Sequence, residues 1–358
     1  MSASLNLSLA SALLVAMCGA PVAIAGELSP GGREQAKVAV VQVVGDSAAG
    51  TGFVYDASRG LVVTTAFVTA GQSSLEVLQA GKQQPVPAQL LGSDLCQDLA
   101  VLKLTSPLKG LKGLQFGDSD LVVDDDAITS LGYTDAGTAG ADVVATAGEV
   151  DEPAETVGPT SSDPDLPSLI YHSAEVKPGT QGGPVLNSDG EVVGINTGTS
   201  EEEDPLIGKT RRVYEAISSN NAKSVLPGLA AGAMKNDPGW WLRNVSDPNL
   251  PQETALAGIA EASVQDAQNR LQDKGIDGLF VVDVRKNSPA GSAKIQQGAV
   301  ITTANGEDVS SFSELCDVIE PASAGDKLNL SGVYSGVGAA GHKFGDSWTV
   351  ELTLEGNS

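Results

Sequence analysis

Short runs of β-branched residues, each broken by Gly, Asp or Pro, follow one another along roughly the first two-thirds of this chain. Regular short strands with turn signals between them predict an all-β sandwich or barrels from Val38 to about Gly228. The runs that predict strands are Val38–Val44, Thr51–Tyr55, Leu61–Thr65, Leu99–Leu104, Ala127–Leu131, Ala145–Val150, Leu169–Ser173 and Glu191–Gly198. Two acidic, polar stretches, 151–167 and 200–209, predict long surface loops.

The pattern becomes mixed α/β from Trp240 onward. Residues 229–238, in which Gly, Ala, Asn and Asp dominate, are interpreted as a linker between two domains. Beyond the linker, helical periodicity and apolar runs predict a small α/β domain. Its predicted elements are helices at Glu261–Lys274 and Ser311–Ile319, a buried strand at Leu279–Val284, a hairpin across 332–345 and a final strand at Trp348–Leu354.

The first 25 residues contain no Asp, Glu, Lys or Arg, and Leu9–Ile24 is largely apolar. Ala23-Ile24-Ala25 before Gly26 fits an A-x-A cleavage site, so residues 1–25 are interpreted as the signal peptide of an exported protein, periplasmic or extracellular. The alternative is an uncleaved membrane anchor, since the apolar run approaches spanning length. No other membrane contact is expected.

The charge of the chain restricts its partners. Among 358 residues there are 45 Asp+Glu against 21 Lys+Arg, a formal net charge of −24. Such a field repels polyanions, which argues against a nucleic-acid partner or an anionic membrane surface. The charge is interpreted as an aid to solubility in a salty or exported setting.

The cysteines and histidines indicate no cofactor and no metal. After cleavage only Cys96 and Cys316 remain, far apart in sequence and in different predicted domains. A disulfide framework is therefore excluded, and the two are interpreted as buried small hydrophobic residues. The only histidines are His172 and His342, and no CxxC pair is present. His172 is expected to be structural, either exposed or hydrogen-bonded.

The loop Lys177–Pro184 carries the clearest sign of chemistry. It is built like the nucleophile loop of a trypsin-like serine protease, with Gln181 where the serine is expected. Gly179, Gly182 and Gly183 permit the dihedral angles that let backbone N–H groups converge on a developing oxyanion. The other interpretation of these glycines is that they satisfy tight turns of the fold.

An ordered series of motifs resembles the HtrA/Deg family, whose members are trypsin-like double-barrel proteases followed by a PDZ domain. The motifs, in chain order, are Gly50–Val54, Leu61–Val68, Asp94–Leu102, Thr146–Val150, Lys177–Asn187, Val193–Asn196 and Tyr214–Ser218. The resemblance implies a mainly β protein, with a trypsin-like double β-barrel at residues 33–228 and a small α/β PDZ domain at residues 239–355.

Carried over residue by residue, the resemblance places the general base at Phe67, the orienting carboxylate at Asp98 and the nucleophile at Gln181. Acyl transfer in this fold needs a hydroxyl that attacks and an imidazole that takes its proton. Neither Phe67 nor Gln181 supplies such a group, so we expect a proteolytically inactive domain in which only Asp98 of the triad is retained.

The remaining parts of the cleft are expected to bind polypeptide. Gly179, Thr180 and Gln181 are expected to form an oxyanion-like hole, and Gly194, Ile195 and Asn196 a strand edge for an extended peptide. Because a buried unpaired charge is costly, we expect the Asp98 carboxylate to accept from backbone N–H groups near Ala66–Val68. The Phe67 ring is expected to pack over the old catalytic floor.

The second domain resembles a PDZ module of the HtrA type through Val282–Ala290 and Gly298–Gly306. Such a module adds a C-terminal peptide as a strand beside a helix and holds its carboxylate with backbone N–H groups. The resemblance implies a groove lined by Leu315 and Ile319. It also implies a carboxylate loop at Trp241, Leu242, Arg243 and Asn244. Arg243 stands where the family usually has glycine and can itself supply a charge for that carboxylate.

The leading hypothesis is an exported HtrA-like pseudoprotease that binds unfolded or C-terminal polypeptide segments without cleaving them. Its role would be that of a chaperone, an adaptor or a regulator of an active relative in protein quality control. One alternative is an active HtrA-type serine endopeptidase; another is a structural protein that docks through its PDZ domain. Family members are commonly trimers held by aromatic residues near the mature N-terminus. Gly26–Gln35 contains none, so a homo-oligomer is left open.

Overall fold

The computed structural model describes residues 27–82, 84–106, 110, 112–134, 141–155, 166–177, 179–204, 209–338 and 341–354. The predicted signal peptide or anchor, 1–25, lies outside these residues. Within the described ranges, no helix is both long enough and apolar enough to span a bilayer.

Six antiparallel strands form the first barrel. They are β1 (Val40–Gly45), β2 (Ala49–Asp56), β3 (Leu61–Thr64), β4 (Leu75–Gln79), β5 (Val86–Asp94) and β6 (Leu99–Leu104). Their order is β5-β4-β1-β2-β3-β6, and the barrel closes because β6 pairs back onto β5. Helix α1 (Pro30–Lys37) precedes the barrel and begins at Ser29, whose side chain accepts from the Gly32 N–H.

The second barrel closes with the same number of strands. They are β7 (Ala127–Tyr133), β8 (Val143–Glu155), β9 (Leu169–His172), β10 (Pro184–Leu186), β11 (Val192–Asp204) and β12 (Lys209–Ser218). The closed order is β10-β11-β12-β9-β8-β7.

The two predicted surface loops are in part strand. β8 runs on to Glu155, and β11 and β12 pair as far as Asp204 and Lys209. Cross-strand pairing therefore overrides the polar composition of these stretches. Residues 156–165 and 205–208 of the predicted loops lie outside the described residues.

The segment predicted as a linker is folded onto the first barrel. Helix α3 (Ser219–Ala230) ends inside it, and β13 (Met234–Lys235) then pairs in parallel with β5. Asn236 adds a side-chain hydrogen bond to the Asp94 carboxylate, 3.0 Å long. Residues 229–238 are therefore not a free connection, because their backbone groups are paired with a neighbouring strand.

The remaining chain forms a third sheet with four helices. Its strands are β14 (Trp240–Asn244), β15 (Leu279–Val284), β16 (Ala299–Ala304), β17 (Glu307–Asp308), β18 (Lys327–Tyr334) and β19 (Ser347–Thr353). The helices are α4 (Leu250–Leu256), α5 (Glu261–Asp273), α6 (Pro289–Ser292) and α7 (Phe312–Ile319). The sheet order is β14-β15-β16-β18-β19, with β17 paired to β16, so β14 is an edge strand. The predicted fold class, two β-barrels followed by a small α/β domain, is confirmed.

A disulfide between Cys96 and Cys316 joins the first barrel to the α/β domain, and its Cα atoms are 5.7 Å apart. The expectation of two unpaired cysteines is wrong, although both are buried as expected. A separation of 220 residues along the chain carried no information on their distance in space. The two domains meet face to face there, which the sequence pattern could not indicate.

His172 is completely buried in β9, so the alternative of an exposed histidine is wrong. Its ring stacks on Tyr214 of the neighbouring strand, with ring centres 6.1 Å apart. Burial lowers the pKa of His172 to about 4, because the interior disfavours the charged imidazolium.

This burial predicts a loss of stability in acid. In the unfolded chain the His172 pKa is about 6.5. Between that value and the folded value of about 4, the unfolded state binds more protons. The free energy of unfolding should therefore fall as the pH drops through this range, by about 3 kcal/mol from this residue. Urea unfolding at pH 7.5 and pH 4 measures it.

The His172→Phe variant keeps an aromatic ring against Tyr214 and should lose that part of the pH dependence. His342→Phe, which changes the only other histidine, is the matched control and should retain it. An unaltered acid response in His172→Phe would contradict the assignment.

Candidate functional site

Four elements bring the predicted catalytic positions together at the junction of the two barrels. The short helix α2 (Ala66–Thr69) follows β3 and carries Phe67. A 3₁₀ turn, Leu95–Gln97, ends at Asp98, whose φ of 45° is left-handed. The loop before β10 carries Gln181, and a bulge in β11 carries Thr197.

A backbone N–H and a hydroxyl group donate hydrogen bonds to the Asp98 carboxylate. The Phe67 N–H donates to Oδ1 at 2.8 Å, and the Thr197 hydroxyl donates to Oδ2 at 2.5 Å. Asp98 is only 8% exposed, so these donors compensate for lost hydration. The expected backbone donor near Ala66–Val68 is confirmed. Thr197 was missed, because its place in a β-bulge depends on the pairing of β11 with β12.

The Phe67 ring packs against the α/β domain. It meets the Trp241 ring edge-on, with centres 5.9 Å apart, and the Arg243 guanidinium lies 4.1 Å from its centre. Aromatic edge contacts and a cation over a ring are both favourable and directional. The side chain at the base position therefore works as a contact between domains.

Gln181 uses its side chain to close the cleft. Its Nε2 donates to the Thr197 carbonyl at 2.7 Å, and its own carbonyl accepts from the Thr51 N–H at 2.8 Å. The first bond occupies a backbone acceptor on the strand that borders the cleft. A peptide laid along this strand would compete with the Gln181 amide for that carbonyl.

The predicted oxyanion-like hole is formed in part. Within the described residues, the N–H groups of Gly179 and Gln181 donate to no atom, whereas the Thr180 N–H donates to the Lys177 carbonyl at 3.0 Å. Thr180 is therefore not a free donor. A Cβ on Gly182 would lie 2.1 Å from the Thr51 carbonyl oxygen, so this glycine is also required by close packing.

The strand edge expected at Gly194, Ile195 and Asn196 is already paired on both sides. Ile195 faces Pro184 of β10 and Ile217 of β12, and it is completely buried. That expectation is wrong, because these residues lie inside the closed barrel. The register breaks just beyond Asn196, so the edge that borders the cleft is Thr197–Gly198.

The predicted PDZ groove is assembled but covered. The expected carboxylate loop, Trp241, Leu242, Arg243 and Asn244, is strand β14 paired with β15, and all four residues are buried. Leu315 and Ile319 lie on α7, and both are buried too.

Arg243 does not face an empty carboxylate site. Its Nε pairs with the Glu253 carboxylate, and its guanidinium covers Phe67. A cavity of about 40 Å³ remains between Phe67, Asp98, Gln181 and Trp241. Pockets that bind small-molecule ligands typically measure about 300–1,000 Å³, so this cavity is too small for such a ligand.

Comparisons with known proteins agree with this architecture. Residues 50–195 match the family of the trypsin-like peptidase domain, and residues 258–333 match the PDZ domain. The serine protease Do-like HtrA of Lactobacillus helveticus is 28% identical over 79% of this chain and 64% of its own length. A probable periplasmic serine endoprotease, DegP-like, of Brucella suis is 29% identical over 79% of this chain and 50% of its own length. The chain thus spans between half and about two-thirds of these relatives.

Solved structures with similar folds include two proteases. The HtrA-type protease AlgW with a tripeptide has a TM-score of 0.46 and 21% identity, covering 90% of this chain and 95% of its own. The serine endoprotease from Yersinia pestis has a TM-score of 0.46 and 19% identity, covering 91% of this chain and 97% of its own.

The hydrogen bonds of Asp98 predict different effects for two substitutions. Asp98→Ala leaves the Phe67 N–H and the Thr197 hydroxyl without their acceptor and puts alanine in a left-handed conformation. We expect it to lower the free energy of unfolding by about 3 kcal/mol. Asp98→Asn keeps one acceptor and tolerates this conformation, so its loss should be about 1 kcal/mol. Urea unfolding measures both, and equal losses would contradict a role based on the donated bonds.

Proposed function

Because this chain belongs to the HtrA/Deg family of trypsin-like proteases with a PDZ domain, we propose that it is an exported pseudoprotease. In this proposal it binds unfolded or C-terminal polypeptide segments and does not cleave them. The observation that carries the proposal is that Phe67 and Gln181 lie beside the Asp98 carboxylate, a phenyl ring and an amide where an active triad has an imidazole and a hydroxyl.

Among the side chains that the structure describes, none near the cleft supplies a base in place of histidine. His172 is buried within the second barrel, and His342 stacks on Tyr334 in the α/β domain with ring centres 3.8 Å apart. The neighbouring hydroxyls have other partners, since Thr180 donates to the Lys177 carbonyl and Thr197 to Asp98. A threonine bonded to a carboxylate alone lacks the imidazole that makes a hydroxyl nucleophilic at neutral pH.

Several retained groups support binding of polypeptide. The N–H groups of Gly179 and Gln181 can donate hydrogen bonds to a peptide carbonyl or carboxylate oxygen. The bulge at Thr197–Gly198 presents backbone groups to the cleft, and the outer edge of β14 would accept an added strand once the first barrel no longer covers it. Each mode recognises mainly the backbone, as a protein that binds many unfolded chains would need.

The proposed setting is outside the cytoplasm, in the periplasm or the extracellular space. The Brucella relative is named as periplasmic, and the disulfide of this chain suits an oxidising compartment. We propose a chaperone-like, adaptor-like or regulatory role in protein quality control, with unfolded proteins or an active relative as the partner.

A second candidate is a structural protein that uses the α/β domain for docking. The observation that favours it is the burial of β14 and α7, which leaves the groove unavailable while the two domains are joined. This candidate requires no exchange between closed and open forms.

A cleavage assay tests the proposal. Fluorescein-labelled β-casein, an unfolded polypeptide, is incubated with the purified chain under oxidising and under reducing conditions. We expect binding without cleavage, because removal of either the serine or the histidine lowers the kcat of a Ser-His-Asp protease by about 10⁶. Cleavage that persists after affinity and size purification would overturn the proposal. Absence of binding under both conditions would favour the structural candidate.

A Phe67→His/Gln181→Ser variant reports whether the cleft still holds a catalytic geometry. We expect slow cleavage of β-casein by this variant, because Asp98 and the Gly179 N–H are in place. The matched control adds Asp98→Asn, which in a Ser-His-Asp triad lowers kcat by about 10⁴.

A further inference from the structure

We infer that the Cys96–Cys316 disulfide is a redox latch that keeps the polypeptide-binding groove of this protein closed until a dithiol reduces it. The inference rests on the proposed function for the occupant of the groove. It adds the condition under which the groove becomes accessible.

The disulfide joins the two surfaces that would have to separate. Cys96 lies in the 3₁₀ turn immediately before Asp98, at the edge of the protease-like cleft. Cys316 lies on α7, one residue after Leu315, on the helix that forms one wall of the groove. One covalent bond therefore restrains the cleft and the groove together.

The first barrel covers the groove at this point. Leu95, Ala66 and Ala70 of the barrel share one buried apolar cluster with β14 and α7. The contact is close, because a Cβ on Gly71 would lie 3.1 Å from the Trp241 Cβ. An added peptide strand needs the outer edge of β14, so it cannot enter beside this surface.

Two side-chain hydrogen bonds across this interface are long. The Lys286 N–H donates to the Ser73 hydroxyl at 3.2 Å, and Gln97 reaches Glu320 at 3.5 Å. Bonds near the limit of hydrogen-bond distance restrain little. The disulfide, the shared apolar cluster and the contacts of Phe67 with Trp241 and Arg243 hold the domains together, and among these contacts only the disulfide can be switched chemically.

The reaction is a thiol–disulfide exchange. A thiolate of the dithiol attacks one of the two sulfurs and forms a mixed disulfide, while the other cysteine leaves as a thiolate and takes up a proton. The second thiol of the reductant then releases the first cysteine. Two electrons and two protons pass to Cys96 and Cys316, and the dithiol becomes a disulfide.

Burial of the two cysteines restricts the thiol–disulfide exchange to molecules whose domain interface has opened. Cys96 is 2% exposed and Cys316 is 6% exposed, so the reductant reaches the sulfurs only when the interface opens briefly. After reduction the same opening is no longer restrained, and a polypeptide can compete for the groove. The apparent affinity then rises with the fraction of open molecules.

The test uses the full mature chain, oxidised or reduced with dithiothreitol, and fluorescein-labelled β-casein as the probe. Alkylation and intact mass establish complete reduction of Cys96 and Cys316. We expect reduction to tighten the apparent Kd for β-casein by roughly tenfold or more. It should also speed amide hydrogen exchange in segments 66–72 and 240–244. A Cys96→Ser/Cys316→Ser variant should behave as the reduced protein under both conditions.

The outcomes separate the latch from the proposed function. Faster amide hydrogen exchange after reduction, without binding of β-casein, would support the redox latch and overturn the proposed function. Equal binding before and after complete reduction would keep the proposed function and overturn the latch. Unchanged amide hydrogen exchange in segments 66–72 and 240–244 after complete reduction would also overturn the redox latch.

Discussion

The contact of the Phe67 ring with Trp241 and Arg243 is the interaction on which the described arrangement depends. It places an edge strand of one domain over the cleft of the other. A histidine at this position would lie beside the Arg243 guanidinium, which disfavours a protonated imidazole. A phenyl ring instead gains from the nearby cation and from burial. At the predicted base position, Phe67 thus strengthens the contact between domains.

The carboxylate of Asp98 has a structural role in this arrangement. It accepts hydrogen bonds from a backbone amide and a threonine hydroxyl. Those bonds tie α2 and the β11 bulge to the 3₁₀ turn that carries Cys96. Asp98 therefore supports the surface of the first barrel that contacts the α/β domain. The contacts between these two domains close both the cleft and the groove.

Much of the fold could be predicted from local pattern. The strands Leu99–Leu104 and Leu279–Val284 have the predicted bounds, because each is a short apolar run with polar turn residues beside it, and such a length favours a strand over a helix. The interpretation of 229–238 as a linker could not indicate that Met234 and Lys235 pair with β5, because that pairing depends on a strand far away in the sequence. The prediction of a free strand edge at Gly194–Asn196 was wrong for a related reason. A sequence motif identifies a segment of the chain but does not say which strands pair with it on either side.

The sequence by itself determined the family resemblance and the chemistry that is missing. A phenyl ring and an amide cannot act as base and nucleophile, whatever surrounds them. Only the tertiary structure decided that Thr197 supports Asp98, that the groove is covered, and that Cys96 meets Cys316. These are contacts between elements distant along the chain, and they depend on how complete domains pack. No local pattern of residues encodes that packing.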